Sequence, residues 1–273
     1  MPRAMNVVPN RGSRLLLALL PFLLIALIYV VGSAQRRADN PDDKLLPPVS
    51  EMVATSKRLA TEPDRRSGDY LLWSDTAASL QRLALGLGIS AIIGLTLGLA
   101  IGLLPIAGAG FGTLVAVLSM IPPMAVLPVL FIVFGLGELS KVVLIIIGVT
   151  PTLVRDLSLE VQNMPREQLI KAQTLGASTW QVAIRVVLPQ IMPRLIQGLR
   201  LMIGPAFLFL ISAEAIASDV GLGYRIFLVR RYLSMDVILP YVVWITLLAY
   251  VFDYALVWFG RRVFPWAYAQ GSR

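Results

Sequence analysis

Residues 77–104 read AASLQRLALGLGISAIIGLTLGLAIGLL, with one charged side chain, Arg82, near the start. A bilayer core is crossed by about 20 apolar residues in a helix, so this stretch predicts a membrane-spanning helix. Gly86, Ser90, Gly94, Gly98 and Gly102 recur every fourth residue. That spacing lines small residues along one helix face, where another backbone can approach closely. Two readings stay open: packing within the chain, or contact with a second copy.

Working outward, five more apolar runs appear: Leu15–Val31, Phe111–Phe134, Leu139–Leu157, Leu195–Ala217 and Val237–Gly260. The expected fold is all-α, a polytopic membrane protein of six transmembrane helices. The first run follows Arg3, Arg11 and Arg14, and Gly32-Ser33-Ala34 offers small residues for cleavage. It outlasts a signal-peptide core of about 7–15 residues, so it reads as an uncleaved anchor. Residues 35–75 are polar and broken by Pro41, Pro47, Pro48 and Pro63, with a short amphipathic helix expected over Val49–Leu59. The third run holds Pro122, Pro123 and Pro128. It is either a kinked packing helix or part of a solute pathway, since proline frees backbone carbonyls that a cavity can satisfy. A short loop is expected over 218–231, and Phe264 and Trp266 suit an interfacial aromatic belt.

The chain has 273 residues, 57% apolar, with mean hydropathy +0.75 and formal charge +8. It contains no cysteine and no histidine. Thiol nucleophiles, histidine bases and Cys/His metal sites are therefore excluded, and no catalytic or metal residue is assigned. Most basic residues flank apolar runs, which argues against nucleic acid as partner. No phosphate-binding Gly-x-x-x-x-Gly-Lys-Ser/Thr loop occurs, so the chain is expected to carry no cofactor. If ATP drives it, another subunit binds the nucleotide. Lys and Arg divide evenly between the two sides of a six-span topology, which leaves the orientation open.

The polar region between spans four and five is patterned. Met164-Pro165-Arg166-Glu167-Gln168 begins a helix, with proline and acid in its first turn. Leu169, Ala172 and Leu175 form an apolar stripe that ends at Gly176. A second helix is expected from Ser178, with Trp180, Ala183, Ile184 and Val187 on one face and Pro189 as its end. Two short helices joined at a glycine fit a docking knob or a pair of helices lying on lipid.

Two acids lie within predicted spans, where carboxylates tend to face a bundle interior or cavity. Glu214, beside Ser212, either lines a path or pairs with Arg225; Asp253 either serves the path or bonds a neighbouring helix. Ser119, Met120, Pro122 and Pro123 are candidates for a constriction. Arg225, Arg230 and Arg231 form either a solvated basic face or a surface for an acidic partner.

The run Gly176, nine residues, Val186, one residue, Leu188-Pro189 resembles the coupling-loop signature of ABC-importer permeases. That signature opens on Glu-Ala-Ala, where this chain has Ile170-Lys171-Ala172. Only Ala172 matches; Glu167, one turn earlier, is the candidate to substitute in part for the missing glutamate. Ser79-Leu80-Gln81-Arg82, Phe134 through Lys141, Leu175 through Ser178, Ala213-Glu214 and Gly221-Leu222-Gly223-Tyr224 are similar to the nitrate/sulfonate/bicarbonate (taurine-type) branch.

The resemblance implies a type I importer permease fold and no enzymatic activity. It implies partnership with cytoplasmic ATP-binding subunits, a periplasmic solute-binding protein and a second permease subunit forming a homodimer in the lipid bilayer. The coupling loop, about 158–192, would contact the ATPase through Glu167, Ala172, Leu175, Gly176, Ala177, Leu188 and Pro189. The translocation path would involve Ser119, Met120, Pro122, Pro123, Ser212 and Glu214. The expected location is the bacterial inner membrane, with both termini cytoplasmic. Residues 1–34 would be a cytoplasmic tail and first span, 35–75 periplasmic, 76–266 the permease core and 267–273 a tail. The implied solute is nitrate, a sulfonate, bicarbonate or a small nitrogen compound such as urea or guanidine. A secondary transporter and a membrane enzyme are the alternatives. The first often carries an internal repeat and the second needs a paired nucleophile and base; neither is visible.

Overall fold

The computed structural model describes residues 10–40, 43–65 and 67–268, and these are helices joined by short turns. Arg3, Pro41 and most of both predicted tails lie outside the described residues. The elements are α1 Arg11–Asp39, α2 Val49–Thr61, α3 Leu71–Leu103, α4 Pro105–Leu118, α5 Pro123–Phe134 and α6 Glu138–Gln162. They continue as α7 Arg166–Thr174, α8 Thr179–Gln181, a π-helical turn Val182–Val187, α9 Leu188–Ala217, α10 Leu222–Arg230, α11 Met235–Val263 and α12 Pro265–Tyr268. Five stretches are long and apolar enough to cross a membrane, and a bent pair makes a sixth if counted as one span.

The glycine stripe packs within the chain. A Cβ on Gly86 would lie 2.6 Å from Ile145, on Gly94 3.0 Å from Leu153, on Gly98 2.8 Å from Leu157 and on Gly102 2.5 Å from Val161. Partner numbers rise in step with glycine numbers, so α3 and α6 run parallel. The close approach buries Leu144, Ile145 and Leu153 in the main core, with Phe207, Phe209 and Leu210 of α9.

Three expectations need correction. The third apolar run is not one helix: α4 and α5 meet at 96° across Ser119–Pro122. Two successive prolines remove two N–H donors and disfavour helical geometry in the residue before them, so the chain turns. The stretch 218–231 is not all loop, because α10 occupies most of it. Pro189 does not end a helix. The Leu188 N–H reaches back to Ala183, five residues away, and this wide turn carries the chain straight into α9. Pro189 then sits in a first-turn position, where a missing N–H costs little.

Candidate functional site

Two regions gather the polar and motif residues, one at each end of the bundle. At the first, α3, α6, α9, α10 and α11 converge on two buried carboxylates. Glu214 accepts the Ser79 hydroxyl (2.7 Å), Arg82 Nη1 (2.6 Å) and the Gly223 N–H (2.8 Å). Asp75 accepts Arg225 Nε (2.8 Å), the Tyr241 hydroxyl (2.9 Å) and the Gly221 N–H (3.0 Å). Each acid therefore holds one arginine, one hydroxyl and one amide of the same Gly221-Leu222-Gly223 turn. Ser79 also accepts the Leu222 N–H at 2.9 Å. Gly221 has φ +138°, a conformation that L side chains rarely adopt, and a Cβ there would lie 2.6 Å from the Glu214 carboxylate carbon.

The network extends along α6. Arg82 also binds Glu138, whose Oε1 receives Lys141 Nζ at 2.8 Å; Lys141 reaches the Ser218 hydroxyl at 3.2 Å. Buried charges are tolerable only when paired and hydrogen-bonded, and both buried carboxylates meet that condition. This corrects the expected partner of Glu214: it pairs with Arg82, and Arg225 belongs to Asp75. Glu214 is fully buried, so this arrangement offers none of its oxygens to a passage. Sequence reasoning missed Asp75, whose carboxylate is as buried as Glu214's. The available signal was an acid in the first turns of a long apolar helix.

Farther along the bundle, Asp253 takes a bidentate bond from Arg200 of α9 (2.7 and 3.0 Å), so it bonds a neighbouring helix. Arg194 similarly clasps Asp156 at 2.5 and 2.9 Å. Both pairs are partly exposed and tie α9 to its neighbours.

At the other end sits the knob formed by α7 and α8. Leu169, Ala172, Ala177 and Val186 pack onto a small core of Val161, Met164, Val182, Val187 and Ile191. Gln190 of α9 donates to Gln168 of α7 at 3.0 Å. Ser178 caps α8 and exchanges bonds with Gln181. Gly176 has φ +81° between the two helices, where a residue with a Cβ is strained. The apolar stripes therefore split. Ala172 faces the chain's own core, while Leu175 is 88% exposed, Trp180 72% and Ile170 55%. Trp180 does not share a buried face with Ala183 and Val187, which turn inward. Glu167 is exposed, and Leu188 and Pro189 lie in the first turn of α9.

Ser119, Met120, Pro122 and Pro123 stand at the α4–α5 break. The Ser119 hydroxyl donates to Ala116 O at 2.7 Å, and Met120 is exposed. Ser119 and Pro123 border a cavity of about 220 Å³ shared with α6 and α9. Ser212 donates to Leu208 O, one turn back in α9.

Residues 90–265 match the family described as binding-protein-dependent transport system inner membrane component. The chain is 32% identical to the taurine transport system permease protein of Escherichia coli, over 81% of this chain and 80% of that one. It is 33% identical to a bicarbonate transport system permease protein of Synechococcus elongatus, covering 73% and 72%. It is 26% identical to a nitrate import permease protein of Leptolyngbya laminosa, covering 89% and 85%. Among solved structures, a chain of the inward-facing MetNI methionine ABC transporter superposes with TM-score 0.59 at 18% identity. That match covers 73% of this chain and 99% of the other, and it speaks to the fold.

Proposed function

The chain belongs to the binding-protein-dependent transport system inner membrane component family, and on that premise we propose that it carries a small polar solute inward across the bacterial inner membrane. It is a permease subunit of an ABC transporter and not an enzyme; ATP hydrolysis resides in a separate subunit. In the proposal, a periplasmic binding protein delivers the solute, two copies of this chain enclose the path, and ATP-binding subunits drive alternating access. The relatives' named solutes, taurine, bicarbonate and nitrate, supply the solute class.

The knob end faces the cytoplasm in this reading, as do both termini, and the Glu214 end with α2 faces the periplasm. Glu167, Ala172, Leu175, Gly176, Ala177, Leu188 and Pro189 form or shape the ATPase contact. One observation carries it: Ile170, Leu175 and Trp180 are left exposed on a knob whose Leu169, Ala172 and Ala177 are packed. Exposed apolar side chains rimmed by polar ones mark a partner surface. Ser119, Met120, Pro122, Pro123 and Ser212 remain candidates for the path.

The test is co-purification of the transporter's ATP-binding subunit with Leu175→Asp and Trp180→Ala. Both variants should insert normally and lose most of the bound ATPase. Full association in both would remove the knob from the ATPase contact.

A further inference from the structure

Beside α2 the chain encloses a gap that it does not fill. A groove of about 590 Å³ lies between α1 and α11, bordered by Phe22 and Tyr29 of α1, Val53 of α2, and Val243 and Leu247 of α11. Its lining runs from Phe22 to Val30 on α1 and from Leu239 to Leu247 on α11. Each stretch rises about 12 Å at 1.5 Å per residue. One leaflet of a hydrocarbon core of about 30 Å is about 15 Å deep, so the groove is about as long as one leaflet. The apolar stretch of α1 is unburied, and Phe22, Val243 and Leu247 are exposed. The groove is therefore open to whatever surrounds the spans.

Water has nothing to bind there. Among the described residues, no charged side chain lines the groove. Its four polar side chains spend their donors within the protein: Tyr29 on Pro47 O (2.6 Å), Ser56 on Met52 O (2.7 Å), Tyr241 on Asp75 (2.9 Å) and Trp244 on the Thr76 hydroxyl (2.9 Å). A trapped water takes about two to four polar partners. A helix from a second copy fits no better, because α2 crosses one end. The Ser33 hydroxyl of α1 donates to Leu46 O (2.8 Å), just ahead of α2, and Thr55 of α2 donates to Asp236 at the start of α11 (3.0 Å). α2 thus bridges α1 and α11 as a roof and turns its apolar side to the groove, as an amphipathic helix does at a membrane interface. A spanning helix would run into that roof. An acyl chain ends inside its own leaflet and needs no way through.

Charge supplies the other half of the occupant. Arg37 follows Val30 by seven residues, about two turns, so it shares that side of α1. It is exposed and forms no ion pair among the described residues, whereas Arg36 is held by Asp43 at 2.6 Å.

We propose that the groove holds an acyl chain of a membrane phospholipid whose phosphate is bound by Arg37. Burying the chain removes the exposed apolar lining from a void, and the phosphate gives the unpaired guanidinium a charged acceptor. The lipid wedges α1 against α11, which the protein's own side chains do not do. This site is independent of the solute that the transporter carries.

The test uses the complete transporter in detergent micelles with a trace of phosphatidylglycerol bearing a photoactivatable acyl chain. After illumination, mass spectrometry should find the lipid mainly on Val53 and Leu247, and far less on Leu20 and Leu24, which are exposed on the opposite side of α1. Ala26→Trp fills the groove from α1 and should remove most of the groove labelling while sparing Leu20 and Leu24. Arg37→Gln should lower the groove labelling about fivefold. Both variants should retain the ATP-binding subunit, which shows the complex to be intact. Equal labelling on both sides of α1, a groove left unlabelled in the intact complex, or groove labelling that survives Ala26→Trp would overturn the lipid site. Labelling unchanged by Arg37→Gln would overturn the phosphate contact. The measurement needs neither ATP nor solute, so failure of the import reading would show separately, as absent ATP-dependent uptake in the unaltered complex.

Discussion

Arg82 and Glu214 come from helices far apart in sequence and meet 2.6 Å apart, nearly free of solvent at one end of the bundle. Removing one member of a buried pair leaves an uncompensated charge, a loss of about 3–5 kcal/mol. Arg82→Ala should therefore lower the unfolding midpoint in detergent sharply and reduce the yield of folded protein. Glu214→Gln should be destabilised less, since Arg82 keeps its bonds to Glu138. A normal midpoint in both variants would refute a structural role for the pair.

The glycine seam predicts a positional contrast within one helix. Gly102→Ala places a methyl 2.5 Å from Val161 Cβ and 2.8 Å from the Ser158 carbonyl. Overpacking of this kind costs about 1–3 kcal/mol. Gly88→Ala, in the same helix with nothing within 4 Å, should stabilise slightly, because alanine outranks glycine as a helix former by about 1 kcal/mol. Thermal unfolding of the two variants side by side checks the difference, and equal midpoints would count against the α3–α6 seam.

The knob's junction has a backbone requirement of its own. Gly176→Val forces a β-branched residue into φ +81°, a strain of about 1–2 kcal/mol. The whole chain should still insert, since the strain is local. Association with the ATP-binding subunit should weaken, with a smaller loss for Gly176→Asn because asparagine tolerates this region best. Equal association in both variants would mean that the junction's geometry is not used in binding.

Orientation is open to a direct test. Lys57 and Ser178 are exposed and lie toward opposite ends of the bundle. Lys57→Cys should react with a membrane-impermeant thiol reagent in intact cells, and Ser178→Cys only after permeabilisation. The opposite pattern would invert the topology.

What could be read from the sequence depended on range. The four-residue glycine period announced a close-packed face, but only the matched positions in α6 decided between a neighbour within the chain and a second copy. The prolines at 122 and 123 announced a break, though not a turn as sharp as 96°. Pro189 misled because a local rule, proline as terminator, yielded to a π-turn that absorbs it. The buried network was visible only in pieces: Ser79 to Arg82, Glu138 to Lys141, Glu214 and the Gly221 turn each looked conspicuous. Which arginine takes which acid depends on the order of helices around the bundle, and no local pattern encodes that.

The π-turn at Val182–Val187 has a mechanical meaning. It joins α8 to α9 without a flexible link, so Thr179–Ala217 is a continuous rod about 58 Å long at 1.5 Å per residue. Trp180 rides at one extremity and Glu214 at the other, with Pro193 and Pro205 as the places where the rod yields. Between Trp180 and Pro193 the chain is helical throughout, with no loop between the knob and α9. The second of these prolines, Pro205, borders the 220 Å³ cavity, so a bend there would change the shape of that space.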